Sequence, residues 1–132
     1  MDVLRVGLCG VGNVGGAVLK LLQESSDLLF QQGGIPIKLI HVGSRKGNMT
    51  VPYEDLKVSR ELMDVANDPD IDIFVELIGG TELAFELIKT AMNNGKHVVT
   101  ANKALLAIHG NEIFSLAKEK KVQIGFEASV AG

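Results

Sequence analysis

The chain has 132 residues, 46% of them hydrophobic and 22% charged, the proportions of one soluble globular domain. Its formal net charge of −3, from 13 basic and 16 acidic residues, gives no reason to expect nucleic acid or an anionic membrane as partner. Cys9 is the single cysteine, which excludes an intrachain disulfide and a cysteine-based metal framework; no apolar stretch approaches the ~20 residues that span a bilayer.

Residues 3–9 form a short apolar run that closes on Gly10, the pattern of a buried strand. From Val14 the spacing turns helical, with Val18, Leu21 and Leu22 on the same side, until Gly33-Gly34 closes the segment. Residues 35–42 read as the next strand, and residues 44–53, which carry Gly, Asn and Pro, as a loop. Ser59 is placed to cap a short helix reaching about Asn67, where Asp68-Pro69 stops it. Residues 72–78 predict a strand, and Thr81 or a neighbour opens a helix through Leu83, Leu87, Ile88 and Ala91 that Gly95 ends. Residues 96–100 predict a strand, residues 111–121 a helix with Ile113, Leu116 and Ala117 inward, and residues 122–127 a last strand.

Strands alternating with crossover helices predict an α/β fold, a Rossmann-type doubly wound parallel sheet in three layers, α/β/α. Residues 1–132 read as one domain. The five residues from Ala128 follow a strand with no closing helix, so the expectation is a domain taken from a longer protein. The first residues, Met1 to Arg5, lack the apolar core of a signal peptide, which makes the cytoplasm the expected compartment.

Gly10-Val11-Gly12-Asn13-Val14-Gly15 is a complete G-x-G-x-x-G at the junction of a predicted strand and helix. The first glycine permits a tight turn, the second lets backbone approach a pyrophosphate, and the third lets helix and strand pack closely. The helix N-terminus then offers free N–H groups and a positive dipole end to phosphates. The alternative is a glycine-rich turn without a ligand. NAD-selective sites place an acid after the second strand, whereas this chain has Gly43-Ser44-Arg45-Lys46-Gly47 and no acid until Glu54. Arg45 and Lys46, with Ser44 as a further donor, suit the 2′-phosphate of NADP; the alternative is a solvated basic loop.

Three further segments carry a family resemblance. They are Phe74 to Thr81 (FVELIGGT), Gly95 to Ala107 (GKHVVTANKALLA) and Phe126 to Gly132 (FEASVAG). With the glycine loop, and in the same order, they resemble the N-terminal part of homoserine dehydrogenase. The resemblance implies an oxidoreductase that interconverts L-homoserine and L-aspartate 4-semialdehyde by hydride exchange with NADP or NAD, in threonine and methionine biosynthesis. It also implies a substrate and dimerisation domain that this chain lacks, a homo-oligomer at full length, and cofactor binding without turnover by these residues alone.

The same resemblance makes Lys103 an active-site lysine, where a cationic amine can stabilise alkoxide charge or relay a proton. Thr100, Ala101 and Asn102 before it, and Ile78, Gly79 and Gly80 after the preceding strand, are expected to line the nicotinamide pocket; otherwise they are plain strand-to-helix turns. Glu76, a charge inside an apolar strand, is expected to hold the loop carrying Asn102 and Lys103. The resemblance also implies that Glu127 with the carbonyls of Val130 and Gly132 would ligate a sodium ion, a site incomplete here. His41, His97 and His109 have no metal-ligand spacing and read as packed or exposed residues, and Cys9 as a small buried hydrophobe. The rivals from other classes are a nucleotide-binding regulatory module without chemistry and a dehydrogenase of a different small substrate.

Overall fold

A computed structural model describes residues 3–10, 16–45 and 56–126. The elements run β1 (Leu4–Cys9), α1 (Gly16–Leu29), β2 (Ile37–Gly43), β3 (Lys57–Ser59) and α2 (Met63–Ala66). They continue with β4 (Ile73–Glu76), α3 (Glu82–Asn93), β5 (His97–Thr100), α4 (Lys103–Lys120) and β6 (Ile124–Phe126). Among the described residues six strands form one sheet in the order β3-β2-β1-β4-β5-β6, every neighbouring pair parallel. That is the doubly wound Rossmann order, with the direction of winding reversing between β1 and β4.

Side chains alternate across each strand and so divide the core in two. Leu4, Val6 and Leu8 of β1 join Leu39, Ile73, Val75 and Val99 against Leu22 of α1. Phe74 and Val98 face the other way, against Leu87, Ile88 and Met92 of α3 and Leu105 and Ile113 of α4. Each such fully buried side chain contributes roughly 1.5–3 kcal/mol of transfer free energy. The helices therefore lie on both faces, as the alternating sequence pattern requires.

All six strands end on one rung. Ser59 pairs Gly43, Gly43 pairs Cys9, Cys9 pairs Glu76, Glu76 pairs Thr100 and Thr100 pairs Phe126. This common carboxyl edge is where open α/β sheets bind ligands.

Three sequence expectations differ from the structure. Ser59 does not cap a helix: it ends the edge strand β3, and its hydroxyl lies 2.7 Å from His41 Nε2. The helix that follows is a single turn, α2, opened by Leu62 without a side-chain cap. The predicted strand over 72–78 ends at Glu76, because its carboxylate takes the N–H groups of Ile78 and Gly79 and turns the chain. The helix expected from residue 111 begins at Lys103. Asn102 caps it by accepting the Leu105 N–H at 3.0 Å, and the roughly 1 kcal/mol cost of Gly110 inside a helix is outweighed by its buried packing.

Beneath β3, His41 is fully buried and lies 2.7 Å from the Asp68 carboxylate through Nδ1. Burial works to raise the Asp68 pKa, but the Asp70 N–H, the His41 hydrogen bond and the charges of His41 and Lys57 together hold it below the usual carboxylate value. At the strand entrances, His97 Nδ1 accepts the Gln123 N–H at 2.9 Å, and its ring meets Phe30 edge-on. Burial lowers the His97 pKa from 6.5, with Asp72 pulling the other way. A histidine that resists protonation in the fold stabilises it above the unfolded value and loses that contribution as pH falls. Melting temperature should therefore drop as pH is lowered through about 6.5. His97→Asn, which keeps an acceptor for Gln123 but does not titrate, should flatten the drop; an unchanged profile would remove His97 as its source.

Candidate functional site

The strand order reverses between β1 and β4, so the chain leaves these neighbours in opposite directions and opens a crevice above them. Gly10, just past β1, is buried and donates its N–H to the Gly43 carbonyl at 3.1 Å. A Cβ at this position would stand 3.3 Å from the Leu77 Cβ, a tight contact, so glycine lets the two strand exits approach without displacing Leu77. Val11, Gly12, Asn13, Val14 and Gly15 lie outside the described residues.

Past β4 the chain runs Leu77-Ile78 and then through Gly79 at φ +78° and Gly80 at φ +73°, a left-handed pair that side chains resist. A Cβ on either glycine would meet nothing within 4 Å, so open space lies over this backbone. Residues 76–79 form one wall of a cleft of about 350 Å³, and Ala101, Asn102 and Lys103 form the other. A volume of this size falls within the range of small-molecule sites.

Glu76 joins the two walls. It is 1% exposed, and its Oε1 accepts the Thr100 hydroxyl at 2.6 Å, while Oε2 accepts the N–H groups of Ile78 at 3.0 Å and Gly79 at 3.2 Å. Thr100 Oγ1 in turn accepts the Asn102 N–H at 3.1 Å. Asn102 then does two things at once. Its Nδ2 donates to the Gly80 carbonyl, and its Oδ1 caps α4. Six hydrogen bonds thus tie the two loops together, and leaving a buried member such as the Glu76 carboxylate unpaired would cost about 1–3 kcal/mol.

The sequence-predicted residues after β4 and β5 come together here: Ile78, Gly79, Gly80, Thr100, Ala101, Asn102 and Lys103. Lys103 stands exposed as the first residue of α4, with no ion-pair partner among the described residues. A cation at a helix N-terminus opposes the macrodipole, and this helix has no acid in its first turn. Local stability therefore gives no reason for a lysine at that position.

On the far side of β1, Ser44 is buried and donates its N–H to the Ser59 carbonyl at 3.0 Å, while Arg45 is exposed. Lys46, Glu127, Val130 and Gly132 lie outside the described residues. Leu77, packed on Gly10 and forming part of the cleft wall, is a site residue that sequence reasoning missed; its apolar side chain looks like any other strand residue. Cys9 sits on the same rung with its thiol buried, pushed up to about 12 by burial and by the negative charge of Glu76, and so is unreactive.

A larger cavity, about 480 Å³, lies at the opposite edge among Asn67, Asp72, Asn94, Lys96 and His97. Strand entrances in a doubly wound fold offer no switch point and no converging helix N-termini, so the carboxyl-edge cleft is the better candidate despite its smaller volume. Groups of three or more His, Cys, Asp or Glu that could hold a metal are absent among the described residues. No helix among them is long and apolar enough to cross a membrane.

A family model, that of the NAD-binding domain of homoserine dehydrogenase, matches residues 10–127. Homoserine dehydrogenase from Pseudomonas aeruginosa is 46% identical over 132 residues, 100% of this chain and 30% of that protein. The enzyme from Bacillus subtilis is 43% identical, again over 100% of this chain and 31% of the relative. The crystal structure of a homoserine dehydrogenase from Thiobacillus denitrificans superposes with a TM-score of 0.75 at 41% identity, covering 96% of this chain and 30% of that one. The chain thus spans about 30% of the length of the curated relatives it matches.

Proposed function

The chain belongs to the family of homoserine dehydrogenase NAD-binding domains, and from that membership we propose that its carboxyl-edge cleft receives the nicotinamide end of NADP or NAD. The observation that carries this reading is the network from Glu76 through Thr100 to Asn102. A buried carboxylate fixes the two loops around a cleft at the carboxyl edge, next to the switch point between β1 and β4. In this reading the glycine loop from Gly10 to Gly15 faces the pyrophosphate, and the open backbone of Gly79 and Gly80 lies against the cofactor. Arg45 and Lys46, with Ser44, would bind the 2′-phosphate of NADP.

In a protein of the relatives' length, the cofactor would supply or accept a hydride between L-homoserine and L-aspartate 4-semialdehyde. This chain's part is positioning and proton handling. Asn102 fixes the start of α4, and the Lys103 ammonium holds a proton where the substrate oxygen gains or loses charge. A further domain binds the substrate, Glu127 with the Val130 and Gly132 carbonyls contributes to a sodium site, and the assembled enzyme is a cytoplasmic homo-oligomer. These 132 residues alone bind cofactor without turnover.

The exposed Arg45 and the missing acid after β2 favour NADP over NAD. Titration of the chain with both oxidised cofactors should give about tenfold tighter binding of NADP, the worth of one charge-assisted phosphate contact. Arg45→Ala should erase that difference while leaving NAD affinity unchanged. Equal or tighter NAD binding by the unaltered chain would count against the NADP preference.

A further inference from the structure

We propose that the buried Glu76 carboxylate makes the cleft select the oxidised, positively charged nicotinamide over the reduced, neutral one. This inference rests on the cleft being the nicotinamide site. Glu76 is the last residue of β4 and part of the cleft wall, yet it is 1% exposed. Its three hydrogen-bond partners, the Thr100 hydroxyl and the Ile78 and Gly79 N–H groups, are all neutral donors. Glu76 forms no ion pair among the described residues. The network therefore orients the carboxylate through neutral donors, with no cation among the described residues paired to it.

Water cannot screen a charge held this way as it screens one at the surface. The field already reaches the neighbouring strand, where Glu76 is the second cause, after burial, of the raised Cys9 thiol. Lys103 on the opposite wall carries the opposing charge, but it is exposed and screened. The rest of the dinucleotide is common to the two redox forms, so the change in the ratio of oxidised to reduced affinity when Glu76 alone is altered reads the contribution of its charge. At the effective dielectric of a partly buried protein site, one such charge shifts that ratio on the order of tenfold.

The test is a fluorescence or calorimetric titration of the 132-residue chain with NADP+ and with NADPH. The wild type, Glu76→Gln and Glu76→Asp are compared. The glutamine variant should lower the oxidised-to-reduced affinity ratio about tenfold. The aspartate variant keeps the charge but pulls it back from Thr100 and the Ile78-Gly79 loop. It should weaken both forms and hold the ratio within about twofold; a ratio that falls in the glutamine variant and holds in the aspartate variant is a pattern that a merely structural role does not produce. An unchanged ratio in the glutamine variant, or an equal shift in the aspartate variant, overturns the proposal. Should the glutamine variant fail to fold by circular dichroism, the wild type decides by itself: NADP+ must bind more tightly than NADPH, and the reverse order overturns the selection. If the wild type binds neither form, the cofactor site falls and this inference with it; binding with an unaltered ratio removes the inference alone.

Discussion

Replacing Lys103 with alanine in an enzyme of the relatives' full length is expected to lower kcat/KM for homoserine oxidation by about 10²–10⁴-fold, the usual worth of a positioned acid–base group. The fold should stay as it was. Lys103 is exposed, and it starts α4 where a cation is electrostatically unfavourable, so its removal should leave stability unchanged or raise it by a few tenths of a kcal/mol. That combination separates a chemical role from a structural one. Lys103→Arg should recover little activity, because a guanidinium stays protonated and has a different reach. Steady-state kinetics beside a thermal melt would decide it, and a kcat/KM within about threefold of wild type would dispose of the role.

Asp68→Ala should cost the fold roughly 2–4 kcal/mol, since it strands a fully buried imidazole without its partner. Against a typical domain stability of about 5–15 kcal/mol this is a large fraction. The same pair sets a pH limit. Asp68 has a depressed pKa in the fold, so its contribution is present above the unfolded value of about 3.9 and is lost as pH falls through the lower, folded one. Urea unfolding of Asp68→Ala, His41→Ala and the double variant at pH 7 checks the claim. The two single losses should not add, because each variant breaks the same contact. Additive losses would mean that His41 and Asp68 act independently. The proposed cofactor site lies along the sheet's carboxyl edge, so cofactor binding should persist wherever the variant remains folded.

The strands of the parallel core were legible because burial on both faces demands near-continuous apolar runs, as in residues 3–9. The cleft was legible in part. Gly79, Gly80, Asn102 and Lys103 follow strands directly, and a parallel sheet brings all such positions to one edge. Glu76 stood out because a lone acid in an apolar strand demands a partner. The loop it holds was expected, but the individual donor was not legible: nothing local to Glu76 names Thr100, 24 residues away, as the hydroxyl that meets it.

The misread elements share a cause. Lys57 to Ser59 has two exposed residues out of three and no apolar run, so it becomes a strand only because β2 presents an open edge to it. Ser59 has the chemistry of a helix cap, but His41, 18 residues away, takes its hydroxyl instead. Residues 103–110 look interrupted by Gly110, yet the cap at Asn102 and the packing of Leu105 and Ile113 on α3 carry the helix through. By itself the sequence determined the doubly wound architecture and the residues after β4 and β5 that meet at the sheet's carboxyl edge, because periodicity and backbone preference act over a few neighbouring residues. Only the tertiary structure decided which distant group satisfies each buried polar atom. Hydrogen-bond partners are chosen by proximity across strands, and proximity across strands exists only once the sheet has formed.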